Sequence, residues 1–353
     1  MTSLDHSILT EIKGRVGLIT LHRPSALNAL NIEMISHLSR TLDLWRDDSN
    51  VSCVVLQGTG ERAFCAGGDL RSVYEAKQRR DTEALSFLFR EEYRLNYKIH
   101  MFPKPYISFL HGYTMGGGLG ISVHGSHRIV CEGSCLAMPE VTIGYFPDVG
   151  AGYFLNQCPG FLGMYLALTG IYISAEDALY AGLATHYVRK ENYQELLFQD
   201  FCHRSPATSY EVEEILGRFQ EPVPVSSLKE RRGEIDRLFG KDQFDDILRA
   251  LEQEKSEFSD ECLKTLSAKS PSSLKVTFEL LKRMRGKSLR EALHYDFLLA
   301  QKFGKHPDFF EGIRSAIIDK DQNPQWQPKT LDEVTQNVVE EYFVVHSDQK
   351  LFD

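Results

Sequence analysis

The feature that most constrains this 353-residue chain is a long stretch without charge. From Pro105 to His127 the sequence contains no Asp, Glu, Lys or Arg. A transmembrane helix needs about 20 predominantly apolar residues, but His111 and the three consecutive glycines Gly116 to Gly118 interrupt this stretch. We therefore interpret it as a buried strand, a glycine-rich turn and a buried helix, and not as a membrane span.

Strand-like and helix-like segments alternate around this stretch. Strands are predicted where short, mostly apolar segments end at turn residues, at 15–21, 51–56, 106–110 and 127–131. Helices are predicted where apolar residues recur at helical spacing, after the capping residues Asn31 and Asp69 and over 84–99 and 119–123. This alternation predicts an α/β fold with parallel strands joined by right-handed crossovers.

After about residue 205 the sequence becomes charged and amphipathic, and strand patterns are nearly absent. The segments with this character are 210–219, 226–255, 259–267, 271–284 and 288–303, and together they predict a helical C-terminal half. We therefore predict two regions: a ligand-binding core of residues 1–205 and a helical C-terminal region of residues 206–353 that packs on it.

Composition and charge narrow the classes of function. A net charge of -9 argues against nucleic-acid binding, because phosphate contacts require clustered Lys and Arg. The seven cysteines form no CxxC pair and leave one over, which favours a reducing compartment. The N-terminal sequence MTSLDHSILTEIKG has neither an apolar signal core nor the composition of an organelle presequence. We expect any presequence to be absent or already removed.

Two glycine-rich segments are candidate anion-binding loops. The first, from Ala66 through Gly67 and Gly68 to Asp69, joins a strand-side loop to a helix. Free backbone N–H groups at such a junction can hold an anion, while Asp69 caps the helix. The second is the triple glycine, where the backbone can approach a ligand closely. Plain glycine turns and close packing are the alternatives for both.

Carboxylates form the second group of candidates. Glu140 and Asp148 lie in an apolar segment shaped by glycine and proline, from Met138 to Gly150, where burial can tune their protonation. The alternative is that Asp148 caps the helix beginning near Gly150 while Glu140 faces solvent. Glu92 lies on the helix predicted over 84–99, where an exposed acid is the default and an inward-turned ligand contact is the alternative.

Other catalytic chemistry finds little support in the sequence. Ser122 lacks the second glycine of a G-x-S-x-G elbow. His124 and His127 do not form an H-E-x-x-H motif, and no G-x-G-x-x-G follows the first predicted strand. We expect no metal ion and no redox cofactor.

Taken in order, four motifs resemble the crotonase superfamily: Arg23-Pro24 with Leu27-Asn28-Ala29-Leu30, Ala66-Gly67-Gly68-Asp69, the triple glycine, and Pro139-Glu140. The resemblance implies a spiral of repeated ββα turns that binds acyl-CoA. It also implies that the N–H groups of Gly68 and Gly117 hold the thioester carbonyl, and that Ala66 and Asp69 line the substrate. The CoA belongs to the substrate, so no separate cofactor is implied.

A departure from the hydratases of that superfamily is informative. Hydratases carry a catalytic Glu two residues after the triple glycine, and here that position is Gly120. Several segments resemble instead the branch of the superfamily that hydrolyses 3-hydroxyisobutyryl-CoA. These segments are 89–93, 138–150, 310–314, 318–321 and 324–328.

That narrower resemblance implies thioester hydrolysis in valine breakdown, with 3-hydroxypropionyl-CoA as a second possible substrate. Glu140 would be the nucleophile or the general base. Asp148 would hold the 3-hydroxyl of the substrate or the hydrolytic water, and Glu92 would reach the same polar end of the acyl pocket. The pathway implies a location in the mitochondrial matrix. Another acyl-CoA reaction of the superfamily, such as hydration or isomerisation, and a non-catalytic acyl-CoA-binding protein are the alternatives. Self-association is left open.

Overall fold

The computed structural model describes residues 7–344 and 350–352. The expectation about a presequence concerned the N-terminal sequence, and the first six residues of that sequence lie outside the described residues. The strands are β1 (Ile8–Lys13), β2 (Val16–Leu21), β3 (Cys53–Gly58), β4 (Ala63–Cys65), β5 (Tyr106–Leu110), β6 (Tyr113–Met115), β7 (His127–Val130), β8 (Cys135–Ala137) and β9 (His186–Tyr187).

The helices follow in chain order. They are α1 (Ile32–Arg46), α2 (Leu70–Gln78), α3 (Thr82–His100), α4 (Gly117–Gly120), α5 (Ala151–Phe154), α6 (Leu162–Thr169), α7 (Ala175–Ala181), α8 (Cys202–Arg204), α9 (Ser209–Leu216), α10 (Ser227–Glu230), α11 (Arg232–Phe239), α12 (Phe244–Glu254), α13 (Glu257–Ser267), α14 (Pro271–Met284), α15 (Leu289–Phe303), α16 (Pro307–Ile313) and α17 (Gln336–Tyr342). Single turns of 3₁₀-helix, among them Glu140–Ile143, and two π-helical segments, Glu195–Phe201 and Arg314–Ile318, complete the described elements.

The chain divides into two compact units, each built from three separate segments. The first unit, unit 1, contains Met1–Gly68, Arg94–Leu136 and Ile173–Ser226. The second unit, unit 2, contains Asp69–Tyr93, Ala137–Tyr172 and Ser227–Asp353. The boundary near residue 205 stays a prediction.

Unit 1 contains a six-stranded sheet of order β1-β2-β3-β5-β7-β9. Only the β1–β2 pair is antiparallel, and the strands from β2 onward pair in parallel. The predicted parallel pairing is therefore confirmed. The edge strand β1 was missed because Thr10 and Glu11 interrupt its apolar residues, so it carries no continuous apolar run, and most of its side chains are exposed.

One face of this sheet packs against the segment that follows β9. Phe109 on β5 meets the rings of Tyr193 and Phe201 edge-on, with centroids 4.8 and 6.3 Å away. The same hydrophobic core includes Val55 of β3 and Ile215 of α9, which are buried. Burial of such apolar surface stabilises by about 25 cal/mol per Å². This core therefore stabilises the six-stranded sheet, and β4 and β6 lie in the connections between its strands.

The charge-free stretch from Pro105 to His127 contains the predicted buried strand, β5, and the predicted helix, α4. Between them lies a second, short strand, β6, which ends just before the three glycines. The helix differs from the prediction, because it begins at Gly117 and ends after four residues. Ser122 explains the early end: its hydroxyl donates to the Gly118 carbonyl at 2.8 Å and so competes with helix continuation. Within the residues that the structure describes, no helix combines the length and the apolar character that crossing a bilayer requires.

The predicted helical character of the chain after residue 205 is confirmed in the described residues, which form α9 to α17 there without a strand. The segment 226–255, predicted to be helical, contains three helices, α10, α11 and α12. Gly240 ends α11, and a Cβ there would lie 2.7 Å from the Phe161 ring. Only glycine, which has no Cβ, allows the backbone to lie this close to the Phe161 ring, and α11 ends at this residue.

Candidate active site

Unit 1 carries both glycine-rich segments, each at the end of a strand. Ala66 to Gly68 follow β4, and Gly116 follows β6. These two strands are parallel neighbours in a second, three-stranded sheet of order β4-β6-β8, so the segments after them leave the same edge of that sheet. The first bend is fixed by the Leu27–Leu30 turn, because Ala66 N donates to the Leu27 carbonyl at 3.0 Å.

The two glycine bends pack directly against each other. Gly67 has φ +98°, and a Cβ there would lie 3.1 Å from the Met115 carbonyl oxygen and 3.6 Å from the Gly117 nitrogen. A Cβ on Gly118 would lie only 2.4 Å from the Cys65 carbonyl oxygen. Side chains at these positions would separate the bends. The glycines are therefore required by this close approach.

The amides of Gly68 and Gly117 have the geometry of available donors. A Cβ on Gly68 would meet nothing within 4 Å, so this residue borders open space. Gly117 is the first residue of α4, where backbone N–H groups lack a helical acceptor. In the turns and loops of residues 7–344 and 350–352, neither amide donates to a backbone carbonyl. Two such donors suit an oxygen that gains negative charge during a reaction.

Ala66 and Asp69 flank the first bend in different roles. Asp69 caps α2 as predicted, because its carboxylate accepts the Ser72 N–H at 3.3 Å. The Ala66 N–H is already bonded to Leu27. Contact of either residue with a substrate stays a prediction.

Unit 2 contains a cluster of four buried carboxyl groups, which we call the acid cluster: Glu92, Glu140, Asp148 and Asp296. Glu92 lies in the middle of α3 and is 6% exposed, while Glu140 begins its 3₁₀ turn and is 9% exposed. Asp148, in the loop before α5, is 6% exposed, and Asp296 on α15 is fully buried. The solvent-facing alternatives for Glu92 and Glu140 are therefore wrong.

The capping alternative for Asp148 is also wrong. Gly150 is the N-cap of α5 and no side chain caps that helix, while Asp148 contributes only its carbonyl, to Ala151 N at 2.8 Å. The backbone beside it is unusual, because Val149 has φ +50° and Gly150 has φ +85°. A β-branched residue seldom adopts this region. The bend turns the Asp148 side chain inward among the other acids.

Hydrogen bonding differs sharply among the four acids. The Tyr93 hydroxyl donates to Asp148 Oδ2 at 2.6 Å, and the Tyr145 hydroxyl lies 3.3 Å from that of Tyr93. Asp296 Oδ2 accepts the Gly150 N–H at 2.7 Å. Among the described residues, Glu140 Oε2 and Asp296 Oδ1 are buried without a hydrogen-bond partner. Asp148 is thus the one member of the cluster that accepts a side-chain hydrogen bond among the described residues.

Burial and mutual repulsion raise the pKa of every member. Loss of water, and then the charge of Asp148, raise the pKa of Glu92 to about 8 and that of Glu140 well above its usual range. The same two causes raise the pKa of Asp296. Burial raises the pKa of Asp148 to about 7, and the Tyr93 hydrogen bond holds it below the others. Neutral acids that donate and one carboxylate that accepts can therefore coexist at neutral pH.

Aromatic rings exclude water from this cluster. Tyr145 stacks on Phe309 at a centroid distance of 4.4 Å and on Phe89 at 5.9 Å. Phe146 packs on Phe303 at 5.2 Å. This apolar surround is the physical cause of the desolvation.

The sequence analysis missed Asp296 and the hydroxyls of Tyr93 and Tyr145. A signal for Asp296 was present, because it falls at a position where α15 otherwise buries apolar residues, between Leu293 and Phe297. A charged residue on an apolar helical face is almost never buried without a reason. No local pattern indicated that either tyrosine would face a carboxyl group.

Comparisons with known proteins agree with this architecture. The family model for enoyl-CoA hydratase/isomerase matches residues 16–343. A relative from Xenopus tropicalis named "3-hydroxyisobutyryl-CoA hydrolase, mitochondrial" is 42% identical over 99% of this chain and 92% of that protein. The relative of the same name from Homo sapiens is 39% identical over 97% of this chain and 89% of that protein.

Solved structures extend the similarity to the whole fold. A structure titled as a carnitinyl-CoA dehydratase from Mycobacterium thermoresistibile has a TM-score of 0.91 and 36% identity, covering 99% of both chains. One titled as an enoyl-CoA hydratase from Rhodobacter sphaeroides 2.4.1 also has a TM-score of 0.91 and 36% identity, covering 98% of this chain and 100% of the other. The predicted crotonase fold is confirmed, and the chain belongs to the enoyl-CoA hydratase/isomerase family.

Proposed function

We propose that this protein hydrolyses 3-hydroxyisobutyryl-CoA to 3-hydroxyisobutyrate and free CoA, a step of valine breakdown. The observation that carries the proposal is the burial of Glu92, Glu140 and Asp148 in one interacting cluster. The relatives that match nearly the whole chain carry the name of this hydrolase. 3-Hydroxypropionyl-CoA, which shares the 3-hydroxyl, is the second expected substrate.

Thioester hydrolysis requires a stabilised oxyanion and an attacking oxygen. The Gly68 and Gly117 amides would hold the carbonyl oxygen as it gains charge. Once ionised, Glu140 either attacks the carbonyl carbon, giving an acyl-enzyme anhydride that water then opens, or removes a proton from a water that attacks directly. On both routes the carbon–sulfur bond breaks and CoA leaves as the thiolate, which takes up the proton that the attacking water releases. These routes are alternatives within the proposal.

The acyl end is the second element of the proposal. Asp148 as a carboxylate accepts a hydrogen bond, and Glu92 as a neutral acid donates one, so together they suit a hydroxyl group. An acyl chain without that hydroxyl would leave buried polar groups unpaired, which costs orders of magnitude in rate. We therefore assign 3-hydroxyacyl selectivity to Asp148 and Glu92.

Two alternatives fit the site less well. The hydratases of the superfamily add water with two glutamates, and the second would have to stand at position 120. That position is Gly120, which is buried in α4 and has no side chain. A non-catalytic acyl-CoA-binding protein does not account for four buried acids, because each buried carboxyl without full hydrogen bonding costs stability. An active enzyme is expected to keep such acids, because it gives up some folding stability for catalytic activity.

We also place the protein in the mitochondrial matrix. The support is that curated relatives from vertebrates and from Dictyostelium discoideum are named as mitochondrial. Imaging a tagged full-length protein against a matrix marker tests this placement, and exclusion from mitochondria would overturn it.

A steady-state comparison of three thioesters tests the function. Purified protein is given 3-hydroxyisobutyryl-CoA, 3-hydroxypropionyl-CoA or crotonyl-CoA, with free thiol and the conjugated double bond followed in parallel. We expect thiol release from both 3-hydroxyacyl thioesters and no loss of the crotonyl double bond. Double-bond loss without thiol release would identify a hydratase, and binding without any turnover would identify a non-catalytic protein.

A further inference from the structure

The Tyr93 hydroxyl is the one side-chain donor found on Asp148 among the described residues. The bond to Oδ2 is 2.6 Å long, and Tyr93 is fully buried. The other titratable groups whose charge interacts with Asp148 are Glu92 from α3, Glu140 from its 3₁₀ turn, Tyr145 from the same loop and Asp296 from α15. None of these groups is a cation. The phenol is therefore the side-chain group that stabilises negative charge on Asp148, with the backbone N–H of Asp148 itself as a second, weaker donor.

We propose, on the basis of the hydrolase function above, that Tyr93 is a positioning residue for the reaction: its hydroxyl directs the first ionisation of the acid cluster to Asp148, before that of Glu140. Carboxyl groups packed together without a cation do not all ionise at once, so the first charge goes to the group with the best hydrogen bonds. Asp148 has two such bonds, from the Tyr93 phenol and from its own backbone N–H, whereas Asp296 has one, from the Gly150 N–H, and Glu140 Oε2 has no partner among the described residues. Tyr93 thereby decides which acid accepts and which acids donate.

The ring of Tyr93 is held so that this bond is kept. Phe89, one helical turn earlier on α3, stacks on it with a centroid distance of 6.0 Å. The Tyr145 hydroxyl reaches it from the other side at 3.3 Å. The phenol has a raised pKa from burial, so it remains a neutral donor across the working range. Losing it would favour the protonated form of Asp148.

The test is the pH dependence of kcat/KM for 3-hydroxyisobutyryl-CoA in Tyr93→Phe and in a matched control. The control is Tyr106→Phe, because Tyr106 is equally buried and its hydroxyl donates to the neutral Ile121 carbonyl at 3.0 Å. A hydrogen bond to a charged group contributes enough to move a pKa by about one to two units. We expect the acid limb of Tyr93→Phe to move up by about that much, and raising the pH to restore most of the lost rate.

Several outcomes decide the proposal. We expect Tyr106→Phe to lose stability with an unmoved acid limb, and Tyr145→Phe to give a smaller shift than Tyr93→Phe. An acid limb in folded Tyr93→Phe that matches wild type, or a loss of rate that no pH restores, would overturn the assignment to Tyr93. If wild-type protein releases no CoA from the substrate, the hydrolase function itself is wrong, which separates the two failures.

A second measurement keeps the proposal testable if Tyr93→Phe does not fold. Infrared difference spectra of wild type against Asp148→Asn and against Glu140→Gln isolate the two carboxyl bands. At about pH 8, one unit above the Asp148 value, we expect the carboxylate band for Asp148 and the neutral acid band for Glu140. The reverse assignment would contradict the proposal.

Discussion

The glycine bends of unit 1 and the acid cluster of unit 2 are built on opposite principles. The bends use backbone amides, and their glycines are contiguous motifs whose missing side chains permit the close approach. The cluster uses side chains from α3, one loop and α15, brought together only by folding. A substitution in the bends should therefore act through steric volume, while one in the cluster should act through charge. Removing a buried acid should even stabilise the fold while it damages catalysis.

Glu140→Gln should give the largest effect on activity. The amide keeps the size of the side chain but can neither attack the thioester nor accept a proton. General-base catalysis contributes about 100- to 10,000-fold, so we expect kcat for CoA release to fall at least that far. The matched control is Glu75→Gln, an exposed glutamate of α2. Near-normal turnover in Glu140→Gln would remove the acid cluster from the chemistry.

Gly68→Ala should separate activity from stability in the glycine bends. The added methyl meets nothing within 4 Å, so the melting temperature should stay at the wild-type value. If the thioester carbonyl occupies the open space at Gly68, the methyl should displace it and lower kcat/KM by about 100-fold, comparable to losing one oxyanion donor. Gly233→Ala, another glycine facing open space, is the control. Equal activity of the two variants would mean that no substrate atom lies against Gly68.

Glu92→Gln should mainly change selectivity, by about tenfold. The amide can still donate one hydrogen bond to the 3-hydroxyl, but its second N–H is a buried donor without an acceptor. Such an unpaired donor typically costs on the order of 1 to 3 kcal/mol. We expect the preference for 3-hydroxyisobutyryl-CoA over isobutyryl-CoA to shrink while kcat for the preferred substrate falls less. The ratio of the two kcat/KM values is the measurement. A uniform loss for both thioesters would assign Glu92 to the fold instead.

Asp296→Asn should change stability more than rate, and only at higher pH. Burial raises the pKa of Asp296 above the unfolded value of 3.8, so the fold holds a proton that the unfolded chain releases. Stability is therefore lost as the pH rises from about 4 toward the folded pKa. The amide keeps an acceptor for Gly150 and has no charge, so it should stabilise by a few kcal/mol at about pH 8 and little at about pH 4.

Denaturant unfolding of wild type and Asp296→Asn at both pH values checks this prediction. The gain at high pH should exceed the gain at low pH. An equal gain at both would show that Asp296 is not a neutral acid in the fold.

The sequence predicted the parallel sheet because its strands are short apolar runs that end at turn residues, as at Arg23-Pro24. It also predicted the caps Asn31 and Asp69, since capping depends on neighbouring residues alone. It did not predict Asp296 or the Tyr93 hydroxyl in the candidate site. Those contacts join residues far apart in the chain, and local periodicity carries no information about which distant side chains a fold brings together.

The most direct test of the account compares 3-hydroxyisobutyryl-CoA with isobutyryl-CoA, which differ only in the hydroxyl group. If Asp148 and Glu92 recognise that hydroxyl, kcat/KM for CoA release should favour the hydroxylated thioester by about 10,000-fold, as for other sites built around a substrate hydroxyl. Wild-type protein and a free-thiol readout are sufficient. Equal rates for the two thioesters would contradict the central claim that the acid cluster selects a 3-hydroxyacyl-CoA for hydrolysis.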